Sequence, residues 1–163
     1  MRQQRGYSLI ELLIGLGIIG VMSAIALPLI LESSRRSDLW TGAERMGALI
    51  RQTRLKAISQ NRSYRVRFDC PAANQARGLV LTGVAAVDNA ANRCNATING
   101  DSEIVQMPMG VTVDPNDATE LQVTPRGVFT AVGDAIPLTI TMGYGTATRT
   151  VTVSATGQIT FNP

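Results

Sequence analysis

Arg5-Gly6-Tyr7-Ser8-Leu9-Ile10-Glu11, followed by the run from Leu12 to Leu31, is the stretch on which the reading of this chain turns. The run holds twenty residues without a charge. At a helical rise of about 1.5 Å per residue it spans roughly the 30 Å of a bilayer's hydrocarbon core. Arg2 and Arg5 stand ahead of it, so the basic end is expected to stay in the cytoplasm while everything after Leu31 crosses to the other side.

Glu11 is the unusual residue in this segment. A carboxylate deep in a membrane span costs about 2.5 to 3.5 kcal/mol on insertion scales, and by default it marks function and calls for a partner. Arg2 and Arg5 are the cations nearest in sequence. A free amino terminus made by cutting between Gly6 and Tyr7 would supply another, in the same copy or a neighbouring one.

Two other readings of the same stretch compete. Arg2 to Arg5, an apolar core and Ala24-Ile25-Ala26 are also the outline of a secretory signal with a small-residue cleavage site, which would release a domain starting at Leu27. Glu11 near the start of the apolar region and Leu29-Ile30-Leu31 beyond the supposed cut speak against it. Gly15-Leu16-Gly17-Ile18-Ile19-Gly20 matches the dinucleotide fingerprint literally, but that fingerprint needs a preceding strand in a βαβ unit, and this one lies inside an apolar span. Gly15, Gly17, Gly20, Ala24 and Ala26 are better read as places where neighbouring helices approach closely. Pro28 removes a helical hydrogen bond and is expected to bend or loosen the helix near its end.

Gly6, the heptapeptide Tyr7 to Leu13 and a span carrying Pro28 together resemble the class III leader of type IV pilins and of the pseudopilins of type II secretion. The resemblance implies cleavage after Gly6 by a prepilin peptidase and methylation of the new amino terminus at Tyr7. It also implies a pairing of Glu11 with the terminal amine of an adjacent subunit, and a loosening of the helix at Pro28 within a filament. Tyr7 and Ser8 stand where the family usually has Phe and Thr. The partners implied are other pilin or minor pilin subunits, the peptidase and an inner-membrane assembly platform. The location implied is a single-pass inner-membrane protein with a periplasmic carboxy-terminal domain, later a filament subunit.

Beyond the span, a polar break is expected at Ser33 to Asp38. Leu39, Ala43, Met46, Gly47, Ile50, Ala57 and Ile58 then recur at helical intervals, with Arg45, Arg51, Arg54 and Lys56 between them, which predicts an amphipathic helix to about Gln60. From Ser63 the period changes to two, since Tyr64, Val66 and Phe68 alternate with Arg65, Arg67 and Asp69. Further strands are expected at 78–82, 103–107, 110–113, 120–124, 138–142, 149–154 and 158–161. Turns at Asn99-Gly100, Pro115-Asn116, Pro125-Arg126-Gly127, Gly143 to Gly145 and Thr156-Gly157 separate them. The fold class is therefore α+β: a long amino-terminal helix, membrane-spanning in its first half and amphipathic in its second, laid on an antiparallel sheet or small sandwich. The expected divisions are a leader at 1–6, a span at 7–31, the amphipathic half-helix at 32–62 and a β domain at 63–163. Val123-Thr124-Pro125-Arg126-Gly127 and the ending Val151 to Ile159 resemble the carboxy-terminal half of the GspH/FimT-type domain of minor pilins and pseudopilins.

Charge is unevenly placed. Residues 32–67 carry nine Lys or Arg against three acids, whereas 68–163 carry four against eight. The base-rich stretch is either a docking face for an acidic partner or a solvated helix face, and the second is the commoner arrangement. Cys70 and Cys94 are the only cysteines, and on an oxidising side of a membrane two cysteines most often pair. Closing that loop of about 25 residues stabilises by roughly 3.5 kcal/mol in the chain-entropy picture. Without histidine, Ser-His and Cys-His arrangements cannot be built, and two thiols alone make a poor zinc site. Neither an enzyme, a metal nor a cofactor is expected. Asp101 with Glu103 and Asp114 with Asp117 read as solvated turn residues.

Some FimT-type minor pilins bind DNA through arginines near the carboxy-terminal glycine turn. Here the turn continues as Gly157-Gln158-Ile159-Thr160, and Arg149 is the nearest base, so nucleic acid is a partner the tail does not favour.

Overall fold

The computed structural model describes residues 8–114, 120–133 and 135–162. The chain divides into two units, residues 1–35 and 36–163.

The first helix, α1, runs from Leu9 to Gln60. Its start is set at Ser8, whose carbonyl accepts the backbone N–H groups of Glu11 and Leu12 at 3.1 and 3.2 Å. Its end is a Schellman motif. Asn61 takes a left-handed φ of 50°, its N–H donates to the Ile58 carbonyl, and the Arg62 N–H reaches back to the Ala57 carbonyl at 3.1 Å. The helical assignment runs through Pro28 and through 33–38, so the polar gap expected at 33–38 does not form. Proline removes only one hydrogen bond from the ladder, so the assignment can continue past Pro28. Arg35 and Arg36 are themselves good helix formers, and serine is only mildly unfavourable.

Within the first unit, every large apolar side chain from Leu9 to Leu31 is 55 to 77% exposed. No other segment of this unit among the described residues covers them. The second unit is built differently. Leu39, Ala43, Met46, Ile50, Thr53 and Ala57 follow one another at intervals of four and three along α1, and all are buried. Leu49 joins this stripe, whereas Ile58, expected inside, is 48% exposed. Thr53 is accommodated in the core because its hydroxyl donates to the Leu49 carbonyl at 2.8 Å.

Strand β1 (Tyr64–Phe68) pairs with β2 (Gln75–Val80) on one side and β5 (Glu120–Val123) on the other. With β3 (Val105–Gln106) beyond β2 and β6 (Phe129–Ala131) beyond β5, they form a five-stranded antiparallel sheet in the order β3-β2-β1-β5-β6. The second sheet, β4-β7-β8-β9, contains Thr112–Val113, Leu138–Tyr144, Ala147–Val153 and Ile159–Asn162. Tyr64 and Val66, Leu121 and Val123, Ile140 and Met142, and Val151 and Val153 point from the two sheets into one core with the α1 stripe. The architecture is the α+β arrangement of a long helix on antiparallel sheets.

Several boundaries move. The strand expected at 78–82 begins at Gln75 and ends at Val80, and those expected at 103–107 and 110–113 shrink to two residues each. Strand β6 and the one-turn helix α2 (Ala85–Asp88) were not expected. Helix α2 is held by the Asp88 carboxylate, which accepts the Thr82 N–H and hydroxyl and the Gly83 N–H. The Pro115-Asn116 turn lies outside the described residues.

Gly78 explains how closely helix and sheet approach. A Cβ placed there would fall 2.5 Å from Thr53 Oγ1 and 3.2 Å from Ser102 Oγ, so only glycine leaves room for this contact.

Candidate assembly site and the domain behind it

Glu11 stands in the first turn of α1, three residues after Ser8. Ser-x-x-Glu is the spacing of a capping box, and a carboxylate there complements the positive end of the helix dipole. This spacing is visible in the sequence alone. Along the helix, Glu11, Leu12, Gly15, Leu16 and Ile19 line one shallow apolar groove. A Cβ at Gly15, Gly17 or Gly20 would meet nothing within 4 Å, so these positions are open notches on an exposed helix. The structure thus brings Glu11 and the first small residue, Gly15, onto one stripe. Gly6 and Tyr7 lie outside the described residues, and Pro28 sits in the helix farther along the same exposed surface.

In the second unit the basic residues between the apolar positions of α1 mostly reach back to the β domain. Arg45 Nη1 donates to the Gln106 carbonyl at 2.7 Å, Arg54 Nε to Gly127 at 3.0 Å and Lys56 Nζ to the Asp101 carbonyl at 3.2 Å. These three anchor α1 to β3, to the turn after β5 and to the loop before β3, although Arg45 stays exposed. Arg54 is further confined by Gly157, which has φ 84° at the final turn. A Cβ at Gly157 would lie 2.9 Å from Arg54 Nη1 and 3.0 Å from the Phe129 ring.

Cys70 and Cys94 form a disulfide with Cα atoms 5.2 Å apart. It bridges the end of β1 to the loop that follows α2. That loop is also gripped from inside. Arg77 Nε donates to the Ser102 carbonyl at 3.0 Å, and its Nη1 to the Cys94 and Ala96 carbonyls at 3.2 Å each. Arg93 holds both oxygens of Asp101 and the Val80 carbonyl. The expected solvated-turn role of Asp101 is therefore overturned, because its side chain is 1% exposed. Burial pushes the Asp101 carboxyl up, but hydrogen bonds from Arg93 and from the Ile98 and Val80 N–H groups, with the Arg93 charge, outweigh it and hold the carboxyl below its ordinary range. On the other face of β1, Arg65 and Arg67 both pair with Glu120 across the strand. Asp117, the partner expected for Asp114, lies outside the described residues.

Arg149, the base nearest the final turn in sequence, stacks its guanidinium 4.6 Å over the Trp40 ring, and Trp40 packs on Phe161 with centroids 6.1 Å apart. Leu55, Ile58 and Val128 remain exposed apolar residues around the end of α1 and the β5–β6 turn.

A prokaryotic N-terminal methylation motif matches residues 1–27, and the family described as Type II transport protein GspH matches residues 42–157. The chain belongs to the GspH family. The GspH fold seen here is similar to the type IV minor pilin FimU of Pseudomonas aeruginosa strain PAO1, with a TM-score of 0.55 at 17% identity over 78% of this chain and 90% of that one. It is also similar to the minor pseudopilin EpsH from the Type 2 Secretion System of Vibrio cholerae, with a TM-score of 0.52 at 17% identity over 77% of this chain and 96% of that one. At such identities the likeness is one of fold. No curated protein matches the chain. A methylation motif on an apolar helix long enough to cross a membrane thus precedes a GspH domain in this chain.

Proposed function

We propose that the chain is a minor pilin, inserted in the inner membrane as a precursor, cut after Gly6, methylated on Tyr7 and packed through α1 into a type IV pilus or its priming tip complex. The observation that carries the reading is the pairing of the methylation motif with an apolar helix left wholly uncovered by its own unit. Such a surface must lie in lipid or against other helices. Glu11 guides docking by meeting the terminal amine of a neighbouring subunit, and Gly15 on the same stripe lets that neighbour approach. Pro28 loosens the helix once it has left lipid. The periplasmic β domain presents the face that meets other minor subunits.

A type II secretion pseudopilus is the second reading, favoured by the GspH family match and the likeness to EpsH. DNA uptake is less supported, since Arg149 is engaged with Trp40 and three basic residues of α1 hold the β domain.

The test is intact and amino-terminal mass analysis of the protein made with and without prepilin peptidase. A chain starting at N-methylated Tyr7 only when the peptidase is present is the expected result. A start at Leu27, or retention of Arg2 to Gly6, overturns the reading. Deletion in the native host, scored for pilus-dependent motility against protein secretion, then separates the two machines.

A further inference from the structure

The last turns of α1 and the turn between β5 and β6 share one exposed face of the second unit. Leu55 and Ile58 on the helix and Val128 on the turn are 67, 48 and 44% exposed. Ile58 lies over Gly127, where a Cβ would fall 2.9 Å from its Cδ1, so helix and turn make a continuous surface. Two apolar clefts adjoin it. One, of about 260 Å³, takes its apolar walls from Ile50, Leu55, Phe129 and Ile159. The other, of about 560 Å³, is lined by Asn61, Pro125 and Val128 among others. A single exposed apolar residue calls for no explanation, but three of them beside two such clefts mark a contact surface.

The charge around this face is of one sign. Arg51 and Arg54 line the first cleft and Arg126 the second, Arg62 follows the helix end, and neither lining holds a carboxylate. Arg54 is held by the Gly127 carbonyl. Arg51, Arg62 and Arg126 are exposed, and they form no ion pair among the described residues. Arg51, Leu55 and Ile58 stand at intervals of four and three on α1, hence on one stripe. Guanidinium forks fit carboxylates in paired hydrogen bonds, and an apolar centre with a charged rim is the pattern of a protein interface. A nucleic-acid backbone would use the arginines but leave Leu55, Ile58 and both clefts unfilled.

We propose that this face docks an acidic segment of a different protein subunit, which sets an apolar side chain into the cleft beside Leu55 and carboxylates against Arg51 and Arg126. The proposal rests on the reading of the chain as a filament subunit, and it names the face through which the β domain meets its neighbour. Because the arginines sit on an exposed rim, the docking weakens as salt rises.

The test places the photo-crosslinker p-benzoylphenylalanine at Val128, and separately at Leu55, of the full chain in its native host, and identifies the joined peptide by mass spectrometry. The expected result is an adduct with another pilin-class subunit, through a peptide in which an apolar residue is flanked by carboxylates. With the probe at Val128, Arg51→Glu and Arg126→Glu should each lower the yield about fivefold, and reversing the carboxylates of the joined peptide should restore part of it. Leu55→Ser should lower the yield as well. All three residues are exposed, so their replacement spares the core. The same probe at Thr139, exposed on β7 of the second sheet, should give no such adduct. No adduct from either position in cells whose filaments contain the chain overturns the proposal, as does a joined peptide without carboxylates or a yield unmoved by both reversals. An adduct between two copies overturns it in favour of self-association. Duplex DNA retarded by the full chain, with retardation lost in the same two arginine variants and no protein adduct formed, overturns it in favour of a nucleic-acid surface. Absence of the wild-type chain from sheared filaments, with its amino terminus uncut, removes the filament-subunit reading itself. Presence in filaments without the adduct removes the docking face alone.

Discussion

Arg93 and Asp101 meet through two parallel hydrogen bonds, Nη1 to Oδ2 at 2.8 Å and Nη2 to Oδ1 at 2.7 Å, with both side chains at 2% exposure or less. The pair closes the loop that the disulfide closes from outside. Asp101→Asn keeps the shape but leaves the Arg93 charge uncompensated. A loss of about 3 to 5 kcal/mol is expected in denaturant unfolding of the full chain in mild detergent. A loss under 1 kcal/mol would mean that the loop repacks around the arginine.

Acid should expose the same pair. Burial raises the carboxyls of Asp101 and Asp88, but their hydrogen bonds prevail and both pKa values lie below the ordinary 3.8. Folded-state values below the unfolded ones contribute stability that is complete above about pH 4 and is lost as pH falls through the depressed values. Stability measured against pH should therefore be flat near neutrality and drop below about pH 4. The drop should be shallower in Asp88→Asn, which cannot titrate. Identical slopes in the variant and wild type would contradict the assignment.

Gly78 and Thr53 should be coupled. Gly78→Ala drives a methyl against the Thr53 hydroxyl and is expected to cost about 1 to 3 kcal/mol. Combining it with Thr53→Ala should recover part of that loss, because the atom in the way is gone. Strictly additive losses in a double-mutant cycle would place the strain elsewhere.

Glu11 has two physical roles to separate. Glu11→Gln keeps a side chain able to cap the first turn of α1 but removes the charge, whereas Glu11→Ala removes both. If the carboxylate pairs with an amine, both variants are processed normally yet recovered at well below wild-type levels in sheared filaments. Normal recovery of Glu11→Gln would assign the residue to capping alone.

The membrane segment and the change of period at Ser63 were plain in the sequence because each depends on a local pattern, an uncharged run and an alternation in Tyr64, Val66 and Phe68. The end of α1 was located correctly at Gln60, although the reason, Asn61 in a left-handed turn, was not read. What escaped was set by distant partners. Asp101 in isolation is a polar loop residue, and it becomes a buried ion only because Arg93 and the end of β2 fold around it. Ile58 keeps the helical interval of a core position, but it lies over the Gly127 turn and stays half exposed while Ala57 beside it is buried. Strand β6 is three residues long and has no alternation to show. Of the second unit, the cysteine pair was legible, while the grip of Arg45, Arg54 and Lys56 on the β domain depends on Gln106, Gly127 and Asp101, all far away in sequence.

The fifteen large apolar side chains left uncovered between Leu9 and Leu31 also constrain the route such a subunit can take. Exposing them to water would cost roughly 20 to 45 kcal/mol at 1.5 to 3 kcal/mol each, more than the whole stability of an ordinary domain. If the chain assembles as proposed, its passage from bilayer to filament must therefore be a direct transfer between two oily phases, without an aqueous intermediate. In such a transfer the hydrophobic terms on either side nearly cancel. In the assembly proposed above, the direction of movement would then be left to the few groups that differ between the two phases, chiefly a carboxylate and a handful of glycines.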